Sequence, residues 1–147
     1  MDLNKLKVAL LLFWAAWFAI VIVTNVLGAL KAAGWLPADW RFASKNYEAV
    51  VKALSVHRLP RWAATGLFAA VVLWQLAAFL LFTHALLASL SGNTFVPGPA
   101  DLAFAAGIGL FAAFMIADEL TLKFAYEQAH ENLLIAQLAC LVVVHLS

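Results

Sequence analysis

Charge is scarce in this chain of 147 residues: Asp, Glu, Lys and Arg make up 12%, against 66% hydrophobic residues, and the formal net charge is +1. That balance excludes nucleic acid as a partner, because neutralising phosphates takes a clustered excess of Lys and Arg. Cysteine is scarcer still. A single thiol, Cys140, excludes an intrachain disulfide framework and a cysteine-built metal site; it lies in an apolar block and is expected to be inert. The chain also lacks a phosphate-cradling glycine loop, a nucleophile elbow and a paired-acid hydrolase pattern. An inverted repeat of broken helices, the mark of many transporters, is missing as well.

What remains is apolar sequence in four blocks: Val8 to Leu30, Trp62 to Leu90, Leu102 to about Leu122, and the shorter Leu133 to Leu146. A bilayer core takes about 20 helical residues to cross and tolerates no unpaired backbone, so blocks of this kind must be helices. The expected fold is all-α: a single membrane domain with four transmembrane helices at about 8–30, 62–90, 102–126 and 130–146, and an interfacial amphipathic helix within 31–60. The first block is too long for a signal-peptide core and no small-residue cleavage site follows it, so it reads as a retained span. Almost the whole chain lies in or beside these spans. No separate soluble catalytic domain fits.

The first connection opens with Gly34-Trp35-Leu36-Pro37-Ala38-Asp39-Trp40, a turn whose aromatics suit the headgroup layer. Ser44 is placed to cap a helix in which Tyr47, Val50, Val51 and Leu54 follow helical spacing, with Lys45, Glu48 and Lys52 opposite. Such a segment lies in the interface. Pro60 ends it and Arg61-Trp62 anchors the second span. The second connection, Ser91 to Pro99, is rich in breakers and carries no charge. Past Ala117 there is neither Gly nor Pro as far as Asn132, so the third helix is expected to project beyond the bilayer and turn near Gln128 to Asn132. Glu119, Lys123 and Glu127 would then form a ladder of opposite charges, each pair worth about 0.2–0.5 kcal/mol in water.

Several polar residues invite a functional reading. Ala105, Gly109, Ala113 and Ala117 recur every four residues, a small-residue stripe that lets helix backbones approach. Asp118 and Glu119 sit late in the third span, either as intramembrane carboxylates or at the headgroups. Glu127 and His130 have the Glu-x-x-His spacing of carboxylate-bridged metal sites, but those sites use it twice and need two more glutamates. His84 and His145 fall toward the same end of the second and fourth helices, as the two axial ligands of a b-type haem would; the competing reading is plain interfacial polarity, which is also the default for His57 and His130. Gln75 and Gln137 are expected to bond between helices.

The order of features, a first span, Asn46-Tyr47 leading an amphipathic stretch from Val50 to Val56, two more spans, Glu119 near the end of the third, and aromatic and amide residues opening the fourth, resembles a family of small bacterial four-span integral membrane proteins of unknown function. That family carries its glutamate within Gly-Gly-Glu-Trp-Phe, whereas Glu119 here has Ala117, Asp118, Leu120 and Thr121 around it. The second connection, basic in the family, is uncharged here. The resemblance implies a four-helix protein of the bacterial inner membrane and singles out Glu119.

Together these features lead to an expected function: a non-catalytic accessory or structural subunit of a larger membrane complex, respiratory or otherwise energy-converting, with lipids and other integral membrane subunits as partners and no cofactor of its own. The alternative is an electron-transfer anchor holding haem b through His84 and His145, with a quinone site near Glu119, Tyr126 and His130. A third reading is a proton or solute path through Asp118 and Glu119. Lys5 and Lys7 lie on one side, and Lys31, Arg41, Lys45, Lys52, Arg58, Arg61 and Lys123 on the other, so the positive-inside rule puts the first connection in the cytoplasm. The resembled family implies the reverse.

Overall fold

The computed structural model describes residues 2–92, 94–122 and 124–146, with the backbone alone at 124–126. Helices α1 (Leu3–Ala32), α2 (Asn46–Leu54), α3 (Arg61–Ser91), α4 (Pro97–Thr121) and α5 (Phe124–His145) follow one another, with a 3₁₀ turn at Ser55–His57. There is no strand among the described residues. Three of these helices, α1, α3 and α4, are long and apolar enough to cross a membrane. The expected all-α membrane bundle therefore stands; α5 is considered as a fourth pass below.

Sequence neighbours are neighbours in space: α3 packs on α1, α4 on α3 and α5 on α4, while α5 also touches α1. The ring closes through Lys7, whose Nζ donates to the Leu146 carbonyl at 2.6 Å and lies 5.2 Å from the centre of the Phe95 ring. Lys7 is buried at this contact.

Aromatic rings fill the centre. Phe18 stacks on Phe82 and Phe111 at 5.8 and 6.2 Å between centroids, Phe82 meets Phe104 edge-on at 5.0 Å, and Trp14 packs beside them. Lipid tails are as apolar as these rings, so close packing rather than exclusion from water holds the centre together. At Gly107 the Gln137 amide of α5 fills the place a Cβ would take. The stripe expected to mark the packed face is divided: Ala105 is exposed, Gly109 meets Trp74, Ala113 is half-buried and Ala117 lines a cavity. Buried positions on α4 instead run through Ala100, Ala103, Phe104, Gly107, Leu110 and Phe111.

The turn after α4 corrects the sequence expectation. The helix stops at Thr121, not near Gln128, because Leu122 takes a left-handed backbone (φ 56°) and its N–H reaches the Asp118 and Glu119 carbonyls. Left-handed caps favour glycine, so a leucine there leaves no compositional trace. Glu119 and Glu127 consequently stand on different helices, and the proposed ladder is interrupted; its middle member, Lys123, lies outside the described residues.

Candidate functional site

The first connection folds back over the bundle instead of extending from it. The Ser44 N–H donates to the Thr24 carbonyl at 2.9 Å, and its own carbonyl rests on Gly28, where a side chain would collide with it. This leads α2 across the end of the bundle. The cap position of α2 falls on Lys45 and not on the expected Ser44, because the helix begins at Asn46; Ser44 Oγ, one residue further out, accepts from the Asn46 N–H at 3.3 Å. Lys45, Glu48 and Lys52 face outward, and Ala49, Val50, Ala53 and Leu54 face in.

Beneath α2 lies a cavity of about 290 Å³ reached by all five helices. Its walls are mainly apolar and aromatic, with Trp17, Phe68, Phe111 and Phe114 prominent. Two polar groups interrupt them. The first centres on Asn25, which is 1% exposed: its amide donates to Gln75 Oε1 at 3.0 Å, while its Oδ1 accepts from Ser44 Oγ and Asn46 Nδ2, both at 2.8 Å. One asparagine thus joins α1, α3 and the start of α2. Gln75 forms the interhelical bond its position suggests; Gln137 does not, since neither atom of its buried amide has a hydrogen-bond partner among the described residues.

The second polar group is Asp118 with His130. His130 Nδ1 lies 2.5 Å from Asp118 Oδ2, and the imidazole packs on Phe114 at 4.9 Å. Donation from Nδ1 to the carboxylate fixes the tautomer and leaves Nε2 available. No described protein group bonds that nitrogen. The pair exists because the chain turns at Leu122, which carries His130 onto α5 and back beside α4. His57 secures the same end of the bundle through a 2.7 Å contact with the Leu120 carbonyl.

The other candidates stand elsewhere. Glu119 is exposed, one position round the helix from the buried Asp118. The side chain of Tyr126 lies outside the described residues. His84 is exposed on α3. His145 bonds through Nδ1 to the Leu141 carbonyl at 2.9 Å, and its Nε2 is 3.2 Å from Asp101 Oδ1, within ion-pair distance but not aligned for a hydrogen bond. No hydrogen bond or ion pair joins the two histidines among the described residues. No three His, Cys, Asp or Glu side chains converge there as metal ligands either. Sequence reasoning missed Asn25 as an organising residue; its signal was a lone amide well inside an apolar block.

Compared with protein-family models, curated proteins and solved structures, the chain matches none.

Proposed function

We propose that this chain is a four-pass integral membrane subunit of a larger assembly, non-catalytic by itself, whose cavity receives the ring of a lipid-soluble quinone-class molecule. The observation that carries the reading is the cavity with its two polar groups. Its 290 Å³ suits a ring rather than a whole lipid. A quinone offers oxygens at opposite edges of a flat apolar ring; the Asn25 group and His130 supply polar contacts, and the aromatic walls supply the flat surfaces. With Nδ1 turned to Asp118, His130 Nε2 accepts from a ring hydroxyl. Asp118 acts through His130 by holding its orientation.

The fourth pass rests on geometry. Three helices, α1, α3 and α4, each fit one crossing, and the Lys7–Leu146 bond that ties the end of α5 to the start of α1 supports a return of the chain through α5. A bacterial inner membrane is the setting this reading assigns it.

A short-chain benzoquinone titrated into the protein in lipid nanodiscs tests the site. Saturable quenching of tryptophan fluorescence is expected through Trp17, with affinity reduced about ten-fold in His130→Ala, the value of one good hydrogen bond in a low-dielectric site. Ala117→Trp, which fills the cavity, should abolish it. Equal quenching in all three proteins overturns the site. Gentle extraction that yields only a lone monomer overturns the subunit role.

A further inference from the structure

A second concavity lies on the outer face of the bundle, between the last turns of α1 and the first turns of α3. It is an open groove of about 490 Å³, lined along its length by Val26, Ala29, Leu30, Phe68 and Val72. At its outer end stand Arg61, Tyr47 and Thr65, with Trp35 beside them. Thr65 Oγ1 donates to the Arg61 carbonyl at 3.0 Å and lies 2.9 Å from the Tyr47 hydroxyl. No carboxylate lies within ion-pair distance of Arg61 among the described residues. The groove is thus apolar along its length and cationic at one end.

Depth and charge say what fits. Trp35 and Trp62 are 79% and 76% exposed and flank the ends of α1 and α3, where tryptophan is enriched at the headgroup layer. That places Arg61 at the level of phosphates and the apolar length at the level of acyl chains. Six basic residues against two acidic ones lie between Lys31 and Arg61, so the surrounding surface attracts anions. Pro60 gives α3 no side-chain cap, and the positive end of its dipole adds to the Arg61 charge. A guanidinium beside two hydroxyls matches a phosphodiester, which accepts several hydrogen bonds at once.

We propose that this groove binds one anionic glycerophospholipid, its phosphate on Arg61 beside the Tyr47 hydroxyl and one acyl chain lying over Ala29 and Val72. The site is separate from the quinone cavity. Phe68 is common to the linings of both, and it forms the wall between them. The lipid bridges α1, α2 and α3 from outside, as Asn25 does from within.

Native mass spectrometry of the detergent-extracted protein, incubated with an equal mixture of phosphatidylglycerol and phosphatidylcholine, tests this. The wild type should retain one phosphatidylglycerol per chain. Arg61→Gln should lower that occupancy about five-fold, the weight of one basic side chain at an anionic surface, and erase the preference over phosphatidylcholine. Ala29→Trp, which fills the acyl track, should remove both lipids. Lys52→Gln changes a charge outside the groove and should leave retention as in wild type. Inorganic phosphate at millimolar concentration should not displace the lipid; displacement marks a site for free phosphate and overturns the proposal. Equal loss in Lys52→Gln and Arg61→Gln reduces the effect to bulk charge and also overturns it, as does undiminished retention in Arg61→Gln. Arg61 and Lys52 are both exposed, so these two variants fold even if Ala29→Trp does not.

Discussion

The carbonyl of Ser44 lies against Gly28, in the space any other residue there would give to its Cβ. A backbone oxygen held by the neighbouring Ser44 to Thr24 bond cannot step aside. Gly28→Ala should therefore lift the 33–45 segment from α1 and cost about 1–3 kcal/mol, the usual range for overpacking. A lowered midpoint on thermal unfolding, with faster tryptic cleavage at Arg41 and Lys45, checks it.

Asn25 and Gln75 share one hydrogen bond but differ in what else depends on them. Asn25→Leu removes the bonds to Ser44 and Asn46 together with that to Gln75, leaving a buried amide unpaired at a cost of about 1–3 kcal/mol. Gln75→Leu keeps the links to α2. Hydrogen exchange at the α2 amides should rise in the first variant and stay near wild type in the second.

Gly107 of α4 and Gln137 of α5 meet where the two helices pack. With Gln137 fully buried, a methyl group at 107 forces its amide to move against packed neighbours. Gly107→Ala should destabilise by about 1–3 kcal/mol. Gly66→Ala, where nothing lies within 4 Å, serves as the neutral comparison in the same unfolding assay.

Tyr47 should ionise below its ordinary value of 10.0. Thr65 lowers it most, since its proton can turn from the Arg61 carbonyl to the phenolate, and the Arg61 guanidinium adds to this. Because the folded value is depressed, the stabilisation is complete above the unfolded value and is lost as pH falls through the folded one. Phenolate absorbance in a Tyr126→Phe background should show the midpoint rising in Arg61→Gln; an unchanged midpoint counts against the contact.

If α5 returns to the starting side, both chain ends face one compartment. In a Cys140→Ala background, Asp2→Cys and Leu146→Cys should react with an impermeant maleimide from the same side of sealed vesicles. Labelling from opposite sides excludes a fourth pass.

Much of the architecture is readable from hydrophobic block length. The helical state follows from the bilayer's intolerance of unpaired backbone, and the amphipathic spacing of Tyr47, Val50 and Leu54 identifies α2 before any coordinates do. The turn at Leu122 is not readable in this way, because the backbone there adopts a conformation its side chain does not favour. That single turn moves His130 from a projecting loop to the wall of a cavity. Reading along the helix also favours Glu119, the residue singled out by resemblance, over Asp118, since adjacent positions point about 100° apart and composition does not say which faces inward.

The sequence by itself determined the solvent and the class of this protein: a chain with so little charge and such long apolar blocks can satisfy its backbone in lipid only as helices. Tertiary structure alone decided which polar residues act together. Asp118 meets His130 and Asn25 meets Gln75 across gaps of 12 and 50 residues. Such pairings depend on helix rotation and on where turns fall, and both are set by side-chain packing between helices, a property that no local stretch of sequence contains.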